Sequence, residues 1–387
     1  MTGVKAMSRN LAIIGASYLQ MPLINKAKEM GYITHVFAWE CGDVGESAAD
    51  HFYPVSIVEK DVILGKCREI GICGICSIAS DLAMVTVNYV AEKMSLNGNS
   101  IHATAKSTNK HLMRRAFEEN GDPSPRSLLV DEYTNLASLN LTYPVIVKPT
   151  DRSGSRGIFK LETPDGLMDA VSCAMEQGFE KKALIEEYAT GQEYSVEFVS
   201  YQGEHHFLAL TQKFTTGAPH FIETGHIQPA PVSDETLERV KAVISHALDS
   251  LELKNGASHS EIKIDDAGNI RIIEIGGRMG GDFIGSTLVP LSTGVDFVSA
   301  VIQIAVGEKP DLQRYGKQSC AAVRFIFTEN DVAVLDDLKS LHPDYLVEEE
   351  VHEITGNKVT DSSNRFGYFL MQAESLELLM HYLPASK

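Results

Sequence analysis

Over the first hundred residues, short continuous apolar runs alternate with segments of helical spacing. Residues 11–15 (LAIIG) form an apolar run ending in glycine, and residues 22–30 carry a helical period. THVFAW, VILGKCREIG and GICGICSIAS then read as strand, helix and strand, followed by a helix over residues 82–94. Strands that are apolar throughout, rather than at every second position, belong to a parallel sheet covered on both faces. The pattern predicts an N-terminal parallel-sheet α/β domain over residues 1–105.

The middle of the chain has a different rhythm. SLLV and YPVIVKP read as strands, and the loop DRSGSRG follows the second. Thr163-Pro164 is an expected helix start, with Thr as N-cap and Pro at the first helical position. ALIEEY, QEYSVEFVSY, HHFLALTQKF, SHSEIKID and NIRIIEIGG are further strands, the last two joined across DDAG as a hairpin. These elements define a second domain over residues 106–309. Residues 310–387 read as a small α+β module: CAAVRFIFT, a helix near Leu335, DYLVEEEV, RFGYFLMQA and a final helix. The acids Glu348, Glu349 and Glu350 suit a solvated strand edge.

Composition narrows the function classes. The 387 residues include 34 Lys or Arg and 52 Asp or Glu, a formal net charge of −18. That balance argues against a nucleic-acid surface, which needs clustered cations, while leaving room for a nucleotide held by a few of them. No apolar run approaches a membrane span, and MTGVKAMSRN does not resemble a signal peptide. Six cysteines are too sparse for a disulfide framework, and Cys73 and Cys76 fall inside an apolar strand and read as core thiols. The expectation is a reduced, cytoplasmic protein without nucleic-acid or membrane partners.

Several residues stand out against these patterns. Gly15 opens no dinucleotide fingerprint, because GASYLQ supplies one glycine where three are needed. Lys148 ends the buried-looking run PVIVKP, where an ammonium is costly without an anionic partner; it either snorkels from the strand end or meets phosphate. The following loop strengthens the phosphate reading, since its amides, hydroxyls and glycines (Ser153, Gly154, Ser155, Gly157) can surround oxygens. Glu186, Glu187 and Glu193 flank a bend at Tyr188 and Ala189, as exposed acids or as ligands of a ribose and a base edge. Glu261 and Glu274 lie on the two strands of the hairpin and can face one side, a carboxylate pair suited to Mg²⁺ with phosphate oxygens. Arg278, among glycines in GGRMGG, can hold a phosphate or an anionic intermediate, or pair internally with Glu274.

In order, NKHLMRRAFEENG, PVIVKP, the Gly-rich loop, IEEY…GQE and two glutamates before an arginine resemble the ATP-grasp superfamily. FIETGHIQPAP, SHSEIKI and RFGYFLMQAESLE look most like its L-amino-acid ligase branch, among carboxylate–amine ligases. The resemblance implies a Rossmann-like pre-ATP-grasp domain, a central ATP-grasp domain and a C-terminal module. It also implies that Lys110 and Lys148 contact ATP phosphates, that Glu186 and Ala189 take adenine and that Glu193 takes the ribose. Glu261 and Glu274 would hold Mg²⁺ or Mn²⁺, Arg278 would steady an acyl phosphate, and Glu223 and His226 would help hold an amino-acid substrate. Gly276 stands where the family often has Asn, which puts a second Mg²⁺ in question. The implied activity joins a small-molecule carboxylate to an amine, with a homodimer as one form of assembly. A ligase using a carrier-protein thiol or a purine-pathway amine, and a non-catalytic ATP-binding regulator, are the alternatives.

Overall fold

The structure is a computed structural model that describes residues 9–152, 156–217, 221–355, 359 and 362–384. The N-terminal unit alternates β1 (Asn10–Ile14), α1 (Met21–Glu29), β2 (Ile33–Ala38), α2 (Val44–Ala48), β3 (His51–Pro54), α3 (Lys60–Ile70), β4 (Gly74–Cys76) and α4 (Asp81–Met94). The four strands are parallel in the order β3-β2-β1-β4. Both faces of β1 are covered: Ala12 and Ile14 pack with Val87 and Val90 of α4, while Leu11 and Ile13 pack with Leu23 of α1 and Ile302. This is why the strand is apolar at every position from Leu11 to Ile14. Cys76 is buried in β4 and its thiol is pushed up to about 12 by burial, as suits a core thiol.

Two helices, α5 (Ile101–Thr108) and α6 (Lys110–Asn120), lead into a second sheet. Asn109 caps α6, its side chain accepting from the amides of His111 and Leu112. The sheet comprises β5 (Ser127–Val130), β6 (Val145–Pro149), β7 (Phe159–Leu161), then α7 (Leu167–Gln177) and β8 (Ala183–Glu187), antiparallel in the order β5-β8-β6-β7. The helix expected from Thr163-Pro164 begins instead at Leu167, after Gly166 at φ 78°. The Thr163 hydroxyl bonds Asp165 in a turn, so the local side chains close a turn that delays the helix.

The largest sheet is antiparallel with eight strands, in the order β13-β12-β9-β10-β11-β14-β16-β15. Its members are β9 (Gln192–Tyr201), β10 (Glu204–Thr215), β11 (Glu223–Gln228), β12 (Gly256–Ile264), β13 (Ile270–Gly276), β14 (Cys320–Phe325), β15 (Leu346–Val351) and β16 (Gly367–Ala373). The helices are α8 (Asp234–Ser250), α9 (Val289–Thr293), α10 (Phe297–Ala305), α11 (Glu329–Leu341) and α12 (Leu376–Met380). Strands from beyond residue 310 thus continue the central sheet, β14 pairing directly with β11. Residues 309 and 310 lie in the connection between α10 and β14, and strands from both sides of it share one hydrogen-bonded sheet. Among the described residues no single helix is long and apolar enough to cross a membrane.

Candidate functional site

The site lies where the second and third sheets meet α6 and the end of β4. Lys110 and Arg114 are four residues apart, hence on one face of α6. The Lys110 ammonium lies 2.8 Å from Glu274 Oε1 on β13 and donates to the carbonyl of Arg152 at 2.7 Å. Arg114 reaches Glu186, with Nη2 3.2 Å from Oε2, and donates to the carbonyl of Ile273 at 2.6 Å. That carbonyl is available because of a β-bulge. Glu261 pairs with Glu274 but Ile262 pairs with Ile272, leaving Ile273 without a partner in the ladder.

Lys148 and Glu186 answer the question of the buried lysine. Ile146 pairs with Glu186 and Lys148 with Leu184, so Lys148 and Glu186 are diagonal neighbours on one face. The ammonium sits 2.7 Å from Glu186 Oε2, with each side chain about 5% exposed or less. Burial lowers the Lys148 pKa more than Glu186 restores it. Burial also opposes the charge on Glu186, but Arg114 and Lys148 outweigh it and hold the carboxyl below its ordinary range. Glu187 points the other way, its Oε1 2.6 Å from Arg126 Nε on the exposed side. Tyr188 donates its amide to Pro144, and the ammonium groups of Lys160 and Lys263 lie 4.1 Å and 4.9 Å from its ring centroid. Ala189 sits at the same bend. Gly157 has φ 70°, and a β-carbon there would lie 3.1 Å from Pro149 Cγ, a tight contact, whereas Ser153, Gly154 and Ser155 lie outside the described residues.

Glu261 and Glu274 are directly opposed on β12 and β13, so their side chains share a face. Neither meets Arg278. Glu261 lies 2.9 Å from Lys213 on β10, a residue that sequence reasoning passed over. Lys213 also lies 2.8 Å from Glu193 and 3.6 Å from Glu223. Burial alone would lower its pKa, but the three carboxylates raise it well above the ordinary lysine value. Burial opposes the charge of Glu261 too, yet Lys213 and His259 hold it well below the usual carboxylate range. His259 Nδ1 donates to Glu197, and a Glu197 oxygen accepts the amide of Gly280 at 3.0 Å. A weaker form of the signal that marked Lys148, a lysine near the end of a strand with an apolar run, is present in FLALTQKF, where Thr211 and Gln212 interrupt the run and Phe214 and Thr215 follow it.

Arg278 pairs with Asp81, at the N-terminus of α4. Nε and Nη2 donate to the two carboxylate oxygens at 3.0 Å and 3.1 Å. The internal pair with Glu274 weighed from the sequence is therefore replaced by a pair across nearly two hundred residues of chain, and Glu274 belongs to Lys110. Gly276 supplies no side chain toward the two glutamates. Among the described residues no three His, Cys, Asp or Glu side chains gather as a metal cage. Two hard carboxylates opposed across a hairpin fit a divalent cation that takes its other ligands from phosphate oxygens and water.

Glu223 and His226 occupy one end of this region. Arg365, just before β16, donates to Glu223 at 3.2 Å and to Asp282 at 3.0 Å, with its guanidinium 3.7 Å from the Phe325 ring centroid. Burial, with Asp282 close by, raises the Glu223 pKa. His226 is fully buried, its ring edge-to-face with Phe325, and neither nitrogen has a hydrogen-bond partner among the described residues. Burial, reinforced by Lys213 and Arg365, pushes it well below the ordinary histidine value. Asp282 and Phe283 are consecutive non-glycine residues with φ 49° and 66°, a strained pair of the kind found at binding sites.

The chain resembles known proteins in sequence and in fold. Residues 141–286 match the model of the ATP-grasp domain. The chain is 25% identical over 311 residues to alanine–anticapsin ligase of Bacillus subtilis, covering 70% of this chain and 65% of that protein. It is 26% identical over 204 residues to D-alanine–D-alanine ligase of Hydrogenovibrio crunogenus, covering 49% and 62%. The chain thus spans somewhat less than two thirds of the length of these relatives. The L-amino acid ligase structure from Bacillus licheniformis superposes with a TM-score of 0.80 at 22% identity, over 96% of this chain and 95% of that one. Residues 141–286 thus match an ATP-grasp domain, and the mixed α/β fold is like that of the L-amino acid ligase structure.

Proposed function

We propose that the protein is an ATP-dependent carboxylate–amine ligase that joins amino acids through an acyl phosphate. The observation that carries this reading is the opposed pair Glu261 and Glu274, each neutralised by a lysine, with Arg278 beyond them. Lys110 and Lys148 would meet phosphate charge, with Lys148 held by Glu186, which is itself paired with Arg114. Glu193 and the bend at Tyr188 and Ala189 would address the nucleoside. Glu261 and Glu274 would hold Mg²⁺ or Mn²⁺, which when bound offsets charge on the phosphates. The alanine–anticapsin and D-alanine–D-alanine ligases among the relatives support amino acids as the substrates.

In the reaction, a substrate carboxylate oxygen attacks the γ-phosphorus and the bond to the β-phosphate oxygen breaks, releasing ADP. The amine of the second substrate then attacks the acyl carbon. Its proton is lost, the carbon–oxygen bond to phosphate breaks, and inorganic phosphate leaves. The chain's part is to align the reactants and to meet negative charge as it develops. Arg278 would serve the second task, while Glu223 and His226 would border the amino-acid site.

The test is phosphate release measured over a matrix of amino acids, singly and in pairs, with mass spectrometry of products. Dependence on two amino acids and a dipeptide mass supports the reading. No ATP-dependent phosphate release with any pair overturns it. A folded Glu274→Gln variant is expected to lose most of the turnover.

A further inference from the structure

Arg278 leaves the central sheet directly after β13 but takes its orientation from the N-terminal unit. Asp81 is the first residue of α4, where Ser80 caps the helix and the dipole favours a carboxylate. Its two oxygens accept the side edge of the guanidinium, from Nε and Nη2. Nη1 donates to the carbonyl of Met279 at 3.3 Å. Among the described residues one hydrogen each on Nη1 and Nη2 is left over from these bonds, the one on Nη2 lying on the end edge of the fork. The pairing therefore fixes which edge of the arginine is presented.

Two further contacts make the junction specific. Ala79, in the turn before α4, has φ 59° and donates its amide to the carbonyl of Met279 at 3.2 Å. A non-glycine residue held there is strained and persists because its surroundings demand it. At Gly276, an added β-carbon would lie 2.4 Å from Asp81 Oδ1 and 3.2 Å from Arg278 Nε. Gly276 is not among the positive-φ glycines, so space rather than backbone conformation excludes a side chain. The missing side chain at 276 is the clearance through which the Asp81 carboxylate reaches the arginine.

We infer that Asp81 is a positioning residue for the ligase reaction, aiming the free edge of Arg278 at the reacting groups, and that Gly276 is glycine to admit it. The inference rests on the ligase reading above. Asp81 touches no reacting atom in this scheme. It acts through Arg278, so its loss should lower kcat and leave ATP affinity in place. Because Asp81 and Gly276 contact one another, their substitutions should not be additive.

The experiment compares wild type, Asp81→Asn, Asp81→Ala, Gly276→Ala and the double variant Asp81→Ala with Gly276→Ala. It uses the full chain and the amino-acid pair that wild type turns over. Phosphate release gives kcat and KM, calorimetry gives ATP affinity, and thermal melts report folding. Asp81→Asn keeps the size of the side chain and guards against a variant that simply unfolds. The expected result is kcat about tenfold or more lower for Asp81→Asn, with ATP affinity within about twofold. Gly276→Ala should be similarly impaired alone but add little in the Asp81→Ala background. A folded Asp81→Asn with wild-type kcat overturns the inference, as does equal harm from Gly276→Ala in both backgrounds. A change confined to KM for an amino acid also overturns it, because Asp81 would then touch substrate directly. A wild type without turnover instead removes the ligase reading itself.

Discussion

Lys148 is a buried cation whose ion-pair partner among the described residues is Glu186, itself shared with Arg114. A lysine with a lowered pKa beside a more strongly held carboxylate is poised to gain from a further anion. Lys148→Ala is expected to weaken ATP binding by roughly ten- to a hundredfold, the worth of a charge-assisted hydrogen bond; calorimetry reads this, and unchanged affinity would reduce Lys148 to a partner of Glu186. His226 makes a prediction about pH. Its folded pKa lies well below 6.5 because the ring is buried among cations. The unfolded chain therefore takes up a proton below about pH 6.5 that the folded protein refuses. Stability should fall on acidification by up to about 1.4 kcal/mol per pH unit from this residue, with the slope fading above about pH 7.5. Urea midpoints between pH 7.5 and 5.5 should show a shallower acid loss in His226→Gln than in wild type. His259 works in the opposite sense, because Glu197 outweighs burial and raises its pKa.

Single strands carry the site because register and bulges decide which residues share a face. Lys213 on β10 contacts Glu193 on β9, Glu223 on β11 and Glu261 on β12, so one ammonium ties four consecutive strands of the sheet. Removing it leaves three carboxylates facing one another in a largely buried region. Lys213→Met is expected to cost about 3–5 kcal/mol, the range for breaking a buried ion pair by deleting one partner, seen as a lower urea midpoint. A midpoint equal to wild type would mean that the three acids are solvated well enough to stand alone. The bulge at Ile273 does comparable work on β13. It leaves Glu274 opposite Glu261 and turns a backbone carbonyl toward Arg114.

At the scale of the molecule, the segment beyond residue 310 is structural as well as regional. β14 pairs with β11, and Phe369, Met371 and Leu379 pack with Phe214 and Ile227 in one core. Arg365 crosses to Glu223 and Asp282. A chain ending at residue 309 would expose the edge of β11 and that apolar face, an aggregation-prone surface. Such a truncation is expected to be insoluble or to lose its cooperative melt, whereas an independently folded remainder would show that the C-terminal segment is a separable domain. Expression followed by a circular-dichroism melt distinguishes the two.

Local chemistry made much of this readable. The parallel strands of the N-terminal unit, Lys148, the opposed glutamates and the glycines around Arg278 all announce themselves through short-range pattern, because periodicity and the cost of a buried charge are properties of neighbouring residues. The strand Glu223–Gln228 was missed as a strand because its polar ETGH lacks the apolar signature, although its central residues are buried. Partners were not legible at all. That Arg278 answers Asp81, Lys110 answers Glu274 and Arg365 answers Asp282 depends on which distant segments the three sheets bring together. A charge written in sequence carries no record of its counter-ion, and only the packed chain, which must neutralise every charge that it buries, decides the pairing.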